Sequence, residues 1–366
     1  MGIPSLGVEA NPVAHFASRT KVDWNSDPGE LAKYTARISR AATRLLEESG
    51  ISDEVFFHNV AAESCLRRLQ SEQEELLLAN SISPLPLHKV LILLEAIERQ
   101  PDCGFRDHAR LALAKVLVAA ASNLQFGPEV GVGKAKDDAA VIAPWREGMR
   151  VVGEDLKTLG DGMQISAEVF LADSRNIAAT VPPASVDFVF TSPPYPNEKD
   201  YTRTTRLESV VLGFIKNKTE LRRMKQNLIR SNTRNVYKLD DDQLRIGKCP
   251  NVWKVAAEIE QRRQDLGKTS GFERLYSRVT QLYFGGMARH LEQLKLILKP
   301  GAYLAYVVGD QASYFRVLIR TGQLLAEVAE SLGFEVLGID LFRTRLATAT
   351  REQLREEVVL LQWKGT

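Results

Sequence analysis

Val186-Asp187-Phe188-Val189-Phe190-Thr191-Ser192-Pro193-Pro194-Tyr195 is the stretch on which the reading of this chain turns. Its first half is an apolar run of strand length, rich in Val and Phe. Its second half cannot continue a strand, because neither proline has an N–H to give to a ladder. A strand that ends in small polar residues, two prolines and an aromatic ring sets those groups at the carboxyl edge of a sheet, where open α/β sheets bind their ligands. A bare Pro-Pro-Tyr is more often only a strand terminator before a turn, so the neighbouring segments have to decide.

Downstream, Ala302–Val308 reads as a further strand, entered through Lys299-Pro300-Gly301 and left through Gly309-Asp310. A helix over about 316–332 stops at Gly333, and strands near 335–342 and 357–363 close the chain. Upstream, Val169–Ala172 is a short strand ending in Asp173, and Ile3–Val8 another, ending in Glu9 after a helix-capping Gly2. Strands alternating with helices predict a parallel α/β sheet with an antiparallel strand near its end.

Between them, 27–160 is helical in pattern. Asp27-Pro28 is an N-cap and N1 pair, and Leu31, Tyr34, Ile38, Ala41 and Leu45 keep helical spacing up to Gly50. Further helices are predicted near 54–79, 87–99, 106–124 and 138–159, with no strand among them. The domain organisation expected is a discontinuous catalytic domain, 1–26 with 161–366, interrupted by a helical insertion at 27–160.

Composition bounds what the chain can do. Its 366 residues are 44% hydrophobic and 26% charged, ordinary for a chain that buries a core. The net charge of +2 declares no global affinity for polyanions, so any nucleic-acid surface must be a local patch. Cys65, Cys103 and Cys249 form no CxxC pair and the five histidines no HExxH, which argues against a disulfide scaffold or a metal site. Without a long apolar run or a signal-like start, the expected location is cytoplasmic, with no membrane partner.

In its strand context, Thr191–Tyr195 resembles the catalytic motif of the amino-methyltransferases that act on DNA, whose signature is Asp, Asn or Ser, then Pro-Pro, then Tyr or Phe. The Ser version is most often associated with cytosine N4. The residue types suit the chemistry: an exocyclic base amine is conjugated with its ring and is a poor nucleophile. The Ser192 side chain and the Pro193 carbonyl would accept its two hydrogens and turn its lone pair towards the methyl group. Pro193 and Pro194 fix φ and so preorganise those acceptors. Tyr195 would stack on the base, worth about 1–3 kcal/mol, helping to offset the cost of taking it out of the duplex.

The resemblance extends to the cofactor motifs. Ser5–Glu9 followed by Ala10-Asn11-Pro12 looks like the second motif of S-adenosylmethionine methyltransferases, in which the acid binds the ribose hydroxyls. Asp173, with Ser174 beside it, matches the acid that contacts the adenine amine. Asn11 and Thr191 join Glu9, Asp173 and Ser174 as the implied cofactor-binding residues. An acid after a strand is usually just a turn residue; the order of these acids beside the Pro-Pro-Tyr motif is what favours function.

One family feature is missing, a glycine-rich turn after the first, central strand, where backbone N–H groups approach the cofactor. Gly127–Lys134 has the glycines but no preceding strand, and reads as a loop. The implied fold is therefore a Rossmann-like methyltransferase sheet apparently lacking its first strand, with a large helical insertion. Three explanations stay open: a fragment, a split enzyme in which a second polypeptide supplies that strand and its glycine turn, or a degenerate relative. The intact catalytic motif favours the first two.

Between Lys199 and Lys238 stand eleven basic residues against three acids. Lys199, Arg203, Arg206, Arg222, Arg223 and Lys225 are the candidate phosphate contacts, set against the plainer reading of a solvated helix face. The function expected is transfer of a methyl group from S-adenosylmethionine to double-stranded DNA, at cytosine N4 before adenine N6, in a restriction-modification setting implied by the family alone. The rivals are an RNA or protein amide N-methyltransferase, and a non-catalytic DNA-binding subunit.

Overall fold

A computed structural model describes residues 2–55, 63–101, 104–127, 129–159, 165–197, 199–346 and 353–365. Parts of the predicted helix over 54–79 lie outside the described residues. The chain is mixed α/β and divides into two compact units, Met1–Leu171 with Tyr201–Met224, and Ala172–Asp200 with Lys225–Thr366.

In the first unit, β1 (Ser5–Glu9) runs parallel to β4 (Ala167–Leu171), with Glu9 opposite Leu171. Asn11 caps α1 (Pro12–Lys21) by accepting from the Val13 amide at 3.0 Å. The helical segment contains α2 (Pro28–Glu48), the single-turn α3 (Ser71–Glu74), α4 (Pro84–Glu98), α5 (Arg106–Val116) and α6 (Ile142–Leu159). Asp27 caps α2 as its sequence predicts, accepting from the Glu30 amide at 2.6 Å. Leu31, Tyr34 and Ile38 of α2 pack with Leu93, Leu113 and Trp145 into one apolar core. Trp145 is completely buried, and its indole N–H donates to the Ala109 carbonyl at 2.9 Å, so its one polar atom is satisfied there. The α6 N-terminus is capped from a distance: Asp53 accepts from the amides of Val141, Ile142 and Ala143.

Two expectations for this segment need correction. The single helix expected over 54–79 is broken, with only a 3-10 turn at Glu63–Cys65 and α3 within its described part. Gly127–Lys134 is not a plain loop, because β2 (Leu124–Phe126) and β3 (Val130–Val132) pair antiparallel as a small hairpin. Three-residue strands leave too little periodicity to read.

In the second unit, β5 (Val186–Thr191) runs parallel to β6 (Leu298–Gly309), and β8 (Gln353–Trp363) lies antiparallel between β6 and β7 (Glu335–Leu346). The antiparallel strand expected near the end is therefore present. β6 begins four residues earlier than its sequence predicts, since Gly301, at φ +88°, lets the strand pass Pro300 through a bulge. The helix expected over 316–332 begins only at Thr321 as α12 (Thr321–Ser331), because Phe315 and Arg316 take φ of +54° and +63° and turn the chain away from a helix. Two longer helices, α10 (Pro250–Asp265) and α11 (Tyr276–Lys295), complete this unit. In the first unit, three short helices, α7 (Tyr201–Thr204), α8 (Arg206–Val211) and α9 (Lys218–Gln226, of which the part to Met224 is in this unit), carry much of the basic run.

Candidate active site

β5 delivers Thr191 to the carboxyl edge of its sheet, and the two prolines end the ladder immediately afterwards. Ser192 is exposed, Pro193 is buried, and Thr191, Pro194 and Tyr195 are half-buried. The turn is closed by the Asn197 amide, which donates to the Tyr195 carbonyl at 2.8 Å. Tyr195 leans on β6 at Gly309, where an added Cβ would lie 2.9 Å from the ring Cε2. Only glycine admits the ring there. Burial pushes the Tyr195 phenol above its ordinary pKa, and Glu356 adds to this, while a hydrogen bond with Ser192 and the charges of Arg345 and Arg343 pull it back.

The Asp173 turn is gripped on two sides. Asp173 caps a 3-10 turn (Ser174–Ala179), accepting from the Arg175 amide at 2.8 Å. Its carboxylate also takes Arg175 Nε at 3.1 Å and Nη2 at 2.7 Å, and Arg175 Nη1 goes on to Asp242 Oδ2 at 2.7 Å. Burial opposes charge on Arg175, but the two carboxylates outweigh it and hold its pKa above the ordinary value. On the other side, His290 Nδ1 lies 3.1 Å from the Ser174 carbonyl and Nε2 lies 2.9 Å from the Tyr306 hydroxyl. A carbonyl only accepts, so Nδ1 carries the hydrogen and Nε2 accepts from the phenol. Burial favours that neutral ring and depresses the His290 pKa.

Arg175, Asp242, His290 and Tyr306 do not stand out in the sequence. One signal for them is present, the pair Gly285-Gly286 inside α11. A Cβ on Gly285 would fall 2.0 Å from the Asp242 carbonyl oxygen, so the bare helix is what seats the turn carrying Asp242.

In the first unit, Glu9 stands at the end of β1 and accepts from the Asn11 amide at 2.7 Å. Burial raises its pKa, against the pull of the Asn11 and Ala10 amides and of His15. Asn11 also serves the fold: besides its cap, Nδ2 donates to Thr205 Oγ1 at 3.0 Å.

Of the predicted basic contacts, Arg222 and Arg223 are exposed on α9. Arg206 donates to Thr202 at both its carbonyl and its hydroxyl, and to the Leu76 carbonyl, within the first unit. Lys225 pairs with the buried Asp200 at 3.2 Å. The Lys199 carbonyl accepts from Asn232 Nδ2 at 3.3 Å, and Arg203 is half-buried. Arg230, another of the eleven, is buried and forked onto Asp240. Several cations of this run therefore neutralise acids or carbonyls inside the fold. Among the described residues no cluster of three or more His, Cys, Asp or Glu could hold a metal ion, and no helix is long and apolar enough to cross a membrane.

No protein-family profile and no solved structure matches the chain. Among curated proteins it is similar to the Type II methyltransferase M.AvaI of Nostoc sp. and to its namesake from Anabaena variabilis. Each is 28% identical over 161 residues, which is 41% of this chain. The chain spans 31% of the length of each of these relatives. The similarity is distant and partial, and it points to the Type II methyltransferases.

Proposed function

We propose that this chain belongs to an S-adenosylmethionine-dependent DNA amino-methyltransferase that modifies an exocyclic base amine, cytosine N4 ahead of adenine N6. The observation that carries the reading is the geometry of Thr191–Tyr195: an exposed Ser192 at the carboxyl edge of a parallel strand, with the Tyr195 ring set against Gly309. The likeness to Type II methyltransferases supports it from an independent direction.

In this reading Ser192 and the Pro193 carbonyl hold the two amine hydrogens, and Tyr195, backed by Gly309, gives the flipped base a ring to stack on. Glu9 suits the ribose hydroxyls, because it is a strand-end carboxylate accepting from neighbouring amides and burial has made it ready for donors. Asp173 already accepts from three Arg175 nitrogens. Those contacts fall twice on each carboxylate oxygen, so an adenine amine would share an oxygen with the Arg175 fork. Ser174, Asn11 and Thr191 are assigned to the cofactor with these two acids. The cofactor, when bound, supplies the electrophilic methyl group.

The functional division we infer is a catalytic domain of 1–26 with 161–366 and a helical insertion at 27–160. Among the described residues β5 pairs only on its β6 side, and Phe188 and Phe190 are 58% and 69% exposed. An unpaired apolar strand edge favours addition of a further strand. A second polypeptide carrying that strand and the glycine turn would meet the need.

The test is transfer of radiolabelled methyl from S-adenosylmethionine to duplex DNA, then digestion and separation of N4-methylcytosine from N6-methyladenine. Label in N4-methylcytosine is the expected outcome. Label in RNA or in a protein amide instead would replace the reading with its enzyme rival.

A further inference from the structure

Beside Tyr195 the sheet of the second unit carries charged residues outside the basic run that the sequence singles out. Gly309 of β6, Glu356 of β8 and Arg343 of β7 lie abreast in register. The Tyr195 ring rests where a Gly309 side chain would be, and a Cβ there would also meet Glu356 Cγ at 3.3 Å. This register places the end of the β7–β8 pair directly against the candidate catalytic turn.

The charges there are layered. Glu356 accepts from Arg343 Nε and lies 3.7 Å from Arg345 Nε, while Arg345 Nη2 donates to the Asp310 carbonyl at 2.9 Å. Arg355 pairs with Glu357 at 2.8 Å, and Arg320 faces Asp310 at 3.4 Å. The three carboxylates are 8%, 4% and 1% exposed at their side chains, whereas Arg343, Arg345, Arg355 and Arg320 are 65%, 37%, 40% and 46% exposed. The acids are inside and the cations outside. A guanidinium has five N–H donors in a rigid fork, so a carboxylate behind it fixes its position and still leaves donors facing solvent. Pairs placed only for stability would contribute little at such exposure. On the Tyr195 face this layering leaves Arg343 and Arg345 as a preset pair of outward cations, the surface a polyphosphate backbone recognises, while Arg355 and Arg320 serve Glu357 and Asp310 on the α12 side of the sheet.

We propose that Arg343 and Arg345, which share a face of the sheet with Glu356 and Tyr195, form a phosphate-contacting surface that grips the DNA backbone next to the base held at Ser192–Tyr195. It rests on the reading of the substrate as double-stranded DNA, and it gives backbone contacts to the strand pair β7–β8. The contacts position the duplex and carry no sequence information.

The experiment measures duplex binding by fluorescence anisotropy across a salt series, for the unaltered chain, for Arg343→Gln/Arg345→Gln, and for Arg343→Gln/Glu356→Gln. The last pair removes a cation and its buried partner together, so no carboxylate is stranded if the first fails to fold. The expected result is about tenfold weaker binding at 0.15 M salt, with the slope of log affinity against log salt flatter by about 1 for each phosphate no longer neutralised. An unchanged slope in variants of a chain that binds DNA and transfers methyl overturns this surface and leaves the proposed function standing. Salt-dependent binding that the variants lose supports the surface; if no methyl transfer follows even with the completing polypeptide supplied, the surface stands and the reaction is defeated. An unaltered chain without affinity for DNA overturns both.

Discussion

Arg175 holds the Asp173 carboxylate through Nε and Nη2 and is itself anchored by Nη1 on Asp242, both of its partners lying within 2.7 Å of a guanidinium nitrogen. The arrangement fixes the direction of an acid whose expected work is to meet a cofactor. It is also buried, with Arg175 8% and Asp242 4% exposed at their side chains. Asp242→Asn removes the charge-assisted bond to Nη1 while Asp173 still neutralises the guanidinium, and is expected to cost about 1.5–3 kcal/mol in urea titration. Arg175→Lys, which keeps the charge and loses the fork, is expected to weaken S-adenosylmethionine binding by calorimetry more than it lowers stability. Equal losses on both scales would make the cluster structural only.

Ser192 is the sharpest point of the functional reading. Ser192→Ala removes a transition-state acceptor and is expected to lower methyl transfer by about 100-fold or more, with DNA affinity little changed. Turnover near normal would remove the catalytic assignment.

His290 makes an acid limit. Its folded pKa lies below the ordinary 6.5, so as pH falls through that value the unfolded chain takes up the proton first. The stability it contributes is therefore full above pH 6.5 and is lost below it. Comparing urea midpoints of the unaltered chain and His290→Gln between pH 7.5 and 5 should show a steeper decline for the unaltered chain. Parallel curves would mean that His290 does not stay neutral in the fold.

Glu208 on α8 has the opposite sign. Burial raises its carboxyl from 4.5 to about 6, and its Oε2 has no hydrogen-bond partner among the described residues. The folded state binds the proton more tightly, so this group favours folding at low pH and opposes it as pH rises from 4.5 through 6. A shift of this size corresponds to about 2 kcal/mol at neutral pH. Glu208→Gln is expected to raise the unfolding midpoint at pH 7.5 and to leave it unchanged near pH 4. A lower midpoint at pH 7.5 would show that the charge has a partner in solution.

Gly285 tests the seat of Asp242. A Cβ at 2.0 Å from a backbone oxygen cannot be absorbed by turning a side chain, so Gly285→Ala should cost at least the roughly 1–3 kcal/mol typical of overpacking. At Gly286 the nearest atom to an added Cβ is an Ile229 methyl at 3.4 Å. Gly286→Ala should be milder, and thermal unfolding of the two variants gives the comparison.

How much was legible depended on whether a signal was local. The cap at Asp27 and the break at Pro193-Pro194 follow from the chemistry of a few adjacent residues, and each stands where that chemistry puts it. The early start of β6 and the late start of α12 did not, because a bulge at Gly301 and left-handed backbone at Phe315 and Arg316 carry no periodic pattern. The basic run shows the same limit. Charge per residue is visible in sequence, but the burial of Asp200 and Asp240 against Lys225 and Arg230 is not.

By itself, then, the sequence determined the strand ending in Thr191–Tyr195, the acids at two further strand ends and the helical character of 27–160, all of them consequences of backbone restriction and periodic apolarity. The tertiary structure alone decided which charges face water. Arg206 and Lys225 turn into the fold, while Arg343 and Arg345 stand out from buried carboxylates beside Tyr195. Desolvation is the reason, since a charge goes inside only where a partner residue, distant in sequence, is brought to meet it.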